Sequence, residues 1–150
     1  RSRGLGDVYK RQTMTFNDIA IRINAYEQTI KTLGNEKVKG QPLIRELAIG
    51  RTKQEAFEVA RKPLLAKYES YATWGQTDTK KERTLSDTFE EFCRDRFIIG
   101  DEQEVVDEIL KYKESFGVDD LLVRVQWPGL GQGEVLKTLD HLGKIMATVS

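Results

Sequence analysis

The sequence predicts an α/β protein. Candidate helices alternate with short apolar runs along the chain, which is the order expected of strands and helices that share one layered fold. Residues 97–129 give a short apolar strand, an amphipathic helix and a second strand, the pattern of a βαβ unit with parallel strands. The second run, Leu121–Val125, is almost continuously apolar, which is typical of a parallel strand covered on both faces.

Composition narrows the class of protein. The 150 residues include 24 Lys and Arg and 24 Asp and Glu, so the formal net charge is zero. This balance argues against proteins that bind nucleic acids or membrane surfaces through a basic field. No apolar run approaches the ~20 residues of a membrane span. With Cys93 as the single cysteine, the chain offers no disulfide framework, and we expect a reducing, cytoplasmic location.

The amino-terminal segment differs from the rest. Residues 2–12, SRGLGDVYKRQ, resemble the in-frame translation of a transposase sequencing adapter. They show no apolar periodicity, so we exclude them from fold reasoning as a disordered leader. The alternative is a natural, basic, disordered terminus. On the adapter interpretation, native sequence begins near Thr13, and residues 13–150 are expected to be part of a larger domain.

The first predicted helix begins at a capping box formed by Thr15 and Asp18, and it ends at Gly34. Its expected buried stripe has helical spacing and consists of Phe16, Ile19, Ile23, Tyr26, Ile30 and Leu33. A strand follows at Leu43–Ile49 and ends at Gly50.

A long helix is predicted from the Thr52 and Glu55 capping box to about Trp74. Pro63 lies inside it and should kink or split it. The expected buried stripe is Ala56, Ala60, Leu64, Tyr68 and Tyr71. Residues 76–84 contain no apolar residue and are predicted to form an exposed, mobile loop.

The carboxyl-terminal part of the chain contains three further predicted helices. A short helix runs from a Ser86 cap to Asp95, and a longer one begins at Asp101 with Glu104 as its box partner and ends at Gly117. The last helix follows the WPG break at 127–129. Its apolar residues are Val135, Leu136, Leu139, Leu142 and Met146.

Arg124 interrupts the apolar run of the second strand. Strand alternation puts it on one face with Leu122 and Gln126. A charged group on a buried strand needs a partner or an opening. Two interpretations follow: polar residues that face the mouth of a barrel, or a structural ion pair with Glu46 on the other strand.

Other polar and aromatic residues can be interpreted as ordinary packing or surface residues. Tyr68, Tyr71 and Trp74 either line a cavity under the polar loop or pack the long helix. His141 is expected at a helix surface or at the edge of the core, and Cys93 is expected to be a small buried side chain.

Five segments in order resemble the luciferase-like, flavin-dependent monooxygenase family. They read LIRELAIGRTKQEAFEVA, KYESYATWG, RFIIGDEQEVVDEIL, LLVRVQWPG and EVLKTLDHLGKIM. The resemblance covers nearly everything after Thr13, and it rests on the order and spacing of the segments rather than on one motif.

This resemblance implies the carboxyl-terminal portion of a (β/α)8 TIM-type barrel, a fold of about 250 residues. The pieces would be helix 6, strand 7, a long excursion, helix 7, strand 8 and helix 8. Strand 7 would be Leu43–Ile49 and strand 8 would be Leu121–Gln126. Phe97–Ile99 would then be the end of the excursion and not a barrel strand.

The resemblance also implies an activity for the parent protein. Family members oxygenate a small organic substrate with O2 and reduced FMN, and a flavin reductase would supply the reduced flavin to a homo-oligomeric parent. The chain alone should be inactive. The alternatives are a deazaflavin-dependent, hydride-transferring oxidoreductase of the same fold, and a self-contained, non-enzymatic α/β interaction module.

Site residues follow from the barrel placement. Gly100, Arg124, Gln126 and Trp127 would line the mouth and contact the cofactor, and Tyr71 and Trp74 would contact the substrate or a lid. No residue is assigned a catalytic role, and no metal is expected. The resemblance also implies that the flavin phosphate is bound upstream of this chain. The local sequence agrees, because Asp101 at a helix start would repel a phosphate there.

Overall fold

The computed structural model of the chain describes residues 14–36, 42–73 and 89–149. Its elements are α1 (Phe16–Leu33), β1 (Leu43–Ile49), α2 (Lys53–Thr73), α3 (Phe89–Cys93), β2 (Ile98–Gly100), α4 (Glu102–Phe116), β3 (Leu121–Arg124) and α5 (Gln132–Val149). The predicted α/β class is confirmed for this part of the chain. The leader at 2–12, Trp74, the polar loop at 76–84 and the Ser86 cap lie outside the described residues.

The three described strands form one parallel sheet in the order β2-β1-β3. The amino-terminal half of β1 pairs with β3, so that Glu46 lies opposite Arg124. Its carboxyl-terminal half pairs with β2, where Leu47 lies opposite Ile98. The predicted adjacency of the two longer strands is therefore confirmed.

The short run before α4 is a true strand of this sheet. Assigning Phe97–Ile99 to the end of an excursion is therefore wrong. Ile98–Gly100 continues the β1 ladder, and the Gly50 amide donates a hydrogen bond to the Gly100 carbonyl at 3.1 Å. The βαβ pattern predicted a strand here correctly. Its two strands, β2 and β3, are parallel but do not pair with each other, because β1 lies between them.

Helices cover the sheet from both sides. Because side chains alternate along a strand, Leu43, Leu47 and Ile49 pack into one core with α1, α4 and α5. Ala48 belongs to a second core with α2, α3 and the segment after β3. Glu46 lies on this second face, where it meets α2.

Helix boundaries are set by local sequence, as predicted. The Thr15 hydroxyl accepts from the Asp18 amide at 3.2 Å, and the Asp101 carboxylate accepts from the Glu104 amide at 2.9 Å. Both helices end at a left-handed glycine, with φ of 65° at Gly34 and 60° at Gly117. Only these few neighbours are needed to begin and end a helix.

Several burial predictions are wrong. On α1 the side chains of Tyr26 and Leu33 are exposed. On α5 the exposed ones are Leu136, Leu139 and Met146, whereas Thr138 and Ile145 are buried. Helix α2 runs through Pro63 as one element instead of splitting there.

β3 is not covered on both faces. Leu122 is 49% exposed, and Leu121 and Val123 are only half-buried. Within the described residues, β3 pairs with β1 on one side and has no strand on the other. The apolar run predicted a fully covered strand, and the described part of the chain does not cover it.

Asp95 supplies a test of backbone strain. It follows α3 with φ of 61°, a left-handed conformation that Asp and Asn tolerate and β-branched residues do not. Asp95→Val should lower the free energy of unfolding by about 1–3 kcal/mol in urea denaturation. Asp95→Asn should change it by less than about 0.5 kcal/mol. Asp119→Val, at an exposed loop position without positive φ, is the control; an equal loss there would contradict the strain account.

Candidate functional site

The carboxylate of Glu46 is the centre of the site. Glu46 is fully buried within β1, with 0% of its surface exposed. Its Oε1 atom accepts from the Lys67 ammonium and, at 3.2 Å, from the Tyr68 hydroxyl. Its Oε2 atom accepts from the indole nitrogen of Trp127. A buried charge needs such donors, because water no longer solvates it.

These donors come from separate elements. Lys67 and Tyr68 are consecutive on α2, and Trp127 lies on the segment that follows β3. Glu46 therefore joins the middle of the sheet to the long helix α2 and to the loop at the carboxyl edge of the sheet. We call the group of Glu46, Lys67, Tyr68, Trp127 and Arg124 the Glu46 cluster.

Arg124 completes the cluster. It faces Glu46 across the β1–β3 ladder, and its Nη1 atom lies 3.6 Å from Oε1 of Glu46. The predicted ion pair is confirmed. The Arg124 side chain is also 34% exposed, whereas that of Lys67 is 7% exposed. Arg124 is thus the member of the cluster whose side chain reaches the protein surface.

Burial shifts the titration of two members. Desolvation lowers the pKa of Lys67, and the hydrogen bond and charge of Glu46 only partly oppose this. Burial, together with the Glu46 charge, strongly raises the pKa of Tyr68. Tyr68 is therefore a neutral hydrogen-bond donor over the physiological range of pH.

Aromatic rings surround the buried end of the cluster. The Tyr68 ring contacts Phe97 at 5.0 Å and Phe92 at 5.3 Å between centroids. It meets Tyr71 edge-on at 5.5 Å, and the Lys67 ammonium lies 5.6 Å from the Tyr71 centroid. Tyr71 thus packs against the second core. The polar loop of its other interpretation lies outside the described residues. Its predicted companion Trp74 lies outside the described residues.

The other predicted mouth residues have different settings. Gln126 is exposed, and Trp127 is buried with its indole bound to Glu46. The space where Gly100 would carry a Cβ is filled by Glu104, whose own Cβ is 2.8 Å from that point. The close approach at Gly100 therefore serves the start of α4.

Sequence reasoning missed two features of the cluster. Glu46 was considered only as a partner for Arg124, and Lys67 was not considered at all. A signal was present for Glu46, which is a charge inside an apolar strand, as Arg124 is. Lys67 gives no comparable signal, because a lysine on a helix is ordinarily solvated.

Further polar pairs lie on the opposite core. Arg45 is fully buried, and its Nε donates to the Tyr112 hydroxyl at 3.0 Å. His141 Nδ1 lies 2.6 Å from Glu102, so this histidine joins α5 to the start of α4. Cys93 lies instead in the core that holds the Glu46 cluster; it is buried, as expected, and burial raises the pKa of its thiol. In the described ranges, no group of three or more His, Cys, Asp or Glu is placed to hold a metal ion.

Comparison with known proteins gives a fold likeness alone. No protein-family model matches the chain, and neither does any curated protein. Eleven chains of solved structures match. One is monooxygenase RslO1 from Streptomyces bottropensis, with a TM-score of 0.69 and 12% identity over 89% of this chain and 39% of that one. The chain thus spans about two fifths of that structure. In the described residues, no helix is long and apolar enough to cross a bilayer.

The coupling between the buried charges of Glu46 and Lys67 can be tested by a double-mutant cycle. Glu46→Leu leaves the Lys67 ammonium buried without its carboxylate and should cost about 3–5 kcal/mol of unfolding free energy. Glu46→Leu with Lys67→Met should cost less than the sum of the single changes, as measured by urea denaturation. Glu134→Leu removes the exposed pair with Lys137 and should cost below about 1 kcal/mol. Additive losses at Glu46 and Lys67 would contradict the coupling.

The Tyr68 hydroxyl predicts loss of stability in alkali. Its pKa is raised in the folded state, so above about pH 10 the unfolded chain releases a proton that the folded chain retains. Stability should fall there by up to about 1.4 kcal/mol per pH unit. The lowered pKa of Lys67 has the opposite effect on stability, because there the unfolded chain retains a proton that the folded chain releases. This effect ends near pH 10.5, where the unfolded chain also loses that proton.

Denaturant titrations from pH 8 to pH 12 measure this effect. Tyr68→Phe should make the alkaline decline shallower. Tyr26→Phe, which changes an exposed ring on α1, should leave the decline as it is in the unaltered chain. Identical slopes for all three proteins would rule out Tyr68 as the source.

Proposed function

We propose that this chain is part of a luciferase-like, flavin-dependent monooxygenase that oxygenates a small organic substrate. The observation that supports this most is the fold likeness to a protein named as a monooxygenase, at a TM-score of 0.69 over 89% of the chain. The five sequence segments that resemble the family support it independently. The barrel belongs to the proposal, with β1 and β3 as adjacent strands within it.

The placement of the Glu46 cluster is consistent with such a site. Ligands of parallel α/β folds bind at the carboxyl ends of the strands. Arg124 is the last residue of β3, and Gln126 and Trp127 follow it. Arg124 and Gln126 would meet the cofactor or the substrate, and Gly100 lies at the matching end of β2.

The fit of a flavin to these residues is uneven. Glu55 lies in the first turn of α2, and Glu102 and Glu104 lie in the first turn of α4. Asp101 is the N-cap of α4, and its carboxylate already accepts from the Glu104 amide. Such helix starts do not suit a phosphate, which we therefore assign to another part of the whole protein. The cationic Arg124 suits an anionic or hydrogen-bond-accepting edge of the flavin.

The residues of the chain would then have distinct tasks. Glu46 orients Arg124 and holds Trp127 at the carboxyl edge, while Lys67 neutralises the Glu46 charge. The aromatic rings around Tyr68 exclude water from these bonds. Reduced FMN would supply the chemistry of oxygen activation. A flavin reductase as partner, a homo-oligomeric parent and a cytoplasmic location complete the proposal.

Flavin binding by a longer form of the protein is the test. A gene whose product contains residues 13–150 after a complete upstream barrel segment should yield a protein that quenches FMN fluorescence and consumes O2 when a reductase supplies reduced FMN. Arg124→Gln should weaken FMN binding about tenfold, since a charge-assisted hydrogen bond contributes roughly 1.5–3 kcal/mol.

Two comparisons make that result specific. Arg51→Gln removes another arginine, whose side chain pairs with Glu55 on the surface, and should not change FMN affinity. A deazaflavin titrated in parallel separates the two cofactor classes. Failure of a folded protein to bind either cofactor would contradict the proposal.

A further inference from the structure

One flank of α5 carries large apolar side chains at the surface. Leu136 is 56% exposed and Leu139 is 45% exposed. His141, which lies about 200° around the helix from Leu139, contacts Glu102 at the start of α4. The two leucines therefore lie on the flank of α5 that faces away from α4. We call Leu136, Leu139 and Gly143 the α5 flank.

Gly143 leaves a gap in this flank. It follows Leu136 by seven residues, so it lies two turns further along the same side of the helix. Among the described residues, no atom of a neighbouring element lies within 4 Å of the point where a Cβ on Gly143 would be. The gap can therefore admit a side chain from another helix without a clash.

Two copies of α5 that lie antiparallel fill the gap. In the register that sets Lys137 opposite Asp140 of the second copy, Leu136 lies opposite residue 141. The Leu136 side chain of each copy then lies midway between Leu139 and Gly143 of the other. The same patch is used by both copies, as a two-fold symmetric contact requires.

This register also matches the charges beside the flank. Lys137 and Asp140 are exposed, and each copy sets its lysine opposite the aspartate of the other. Within one chain, Lys137 pairs with Glu134 at 2.7 Å and Asp140 pairs with Lys144 at 3.0 Å. Exposed pairs of this kind contribute little, so an exchange of partners costs little. The formal net charge of the chain is zero, so no long-range repulsion opposes association.

We propose that the α5 flank is the interface of an antiparallel, two-fold symmetric dimer of this chain. The proposal goes beyond the proposed function, because it requires neither a flavin nor a monooxygenase reaction. One helix flank is smaller than the ~800 Å² per partner of a standard interface, so we expect a weak dimer with a Kd of about 10–100 µM.

Sedimentation equilibrium of the full 150-residue chain, over concentrations that span this Kd, measures the dimer. Leu139→Glu should weaken dimerisation at least about tenfold, because it puts a charge into an apolar contact. Leu33→Glu changes an exposed leucine on α1 and is the matched control, which should dimerise as the unaltered chain does. Gly143→Leu should also weaken dimerisation by filling the gap. Leucine favours a helix more than glycine does, so this loss cannot come from loss of the helix.

Exchanged charges test the register. Lys137→Glu and Asp140→Lys each set like charges opposite each other, so each variant alone should dimerise more weakly than the unaltered chain. A mixture of the two variants should form a heterodimer, because each charge then faces its opposite. Oxidation of Leu139→Cys should give a disulfide-linked dimer faster than oxidation of Leu136→Cys, since residue 139 is the one that lies near its own copy. Cys93 is buried and should take no part.

Several results would overturn the proposal: a monomer at every concentration, unaltered dimerisation of Leu139→Glu, or no heterodimer in the mixture. Equal rates of disulfide formation at residues 136 and 139 would overturn the antiparallel register. A longer protein that contains this chain and stays monomeric where the 150-residue chain dimerises would assign the flank to its interior, which also overturns the proposal. None of these measurements uses a flavin, so their failure is distinguishable from failure of the flavin-binding test.

Discussion

The buried carboxylate of Glu46 is the constraint on which this structure depends. A charge that is removed from water must be met by donors, and here these come from α2, from β3 and from the segment after β3. The long helix and the segment after β3 pack in the second core, whereas Leu121 and Val123 of β3 pack against the first. The cluster therefore does more than satisfy Glu46: it fixes how the long helix and the carboxyl-edge loop lie on the sheet.

This arrangement confirms the ion pair of Arg124 with Glu46, and a position of Arg124 at the mouth of a barrel stays a prediction. An ion pair and an opening to a ligand looked like alternatives, yet the same side chain pairs with Glu46 and remains one-third exposed. A fold likeness at 12% identity does not specify chemistry, so the roles of individual residues have to be argued from this cluster.

The exposed apolar residues have a related meaning. Leu122 on β3 and the stripe of Leu136, Leu139 and Met146 on α5 were expected inside a core and lie at the surface. Within the described residues, β1 is the central strand and β3 is at the edge. The proposed barrel would place another strand beside β3.

The sequence by itself determined what depends on near neighbours: the capping boxes of α1 and α4, their glycine ends and the β1 strand. These signals act over three or four residues. Only the tertiary structure decided that Ile98–Gly100 pairs with β1, that the α5 stripe is exposed, and that Lys67 and Trp127 meet Glu46. Those two contacts join residues 21 and 81 positions apart. No local pattern encodes such a meeting, because burial of a polar side chain is set by what the rest of the chain places around it.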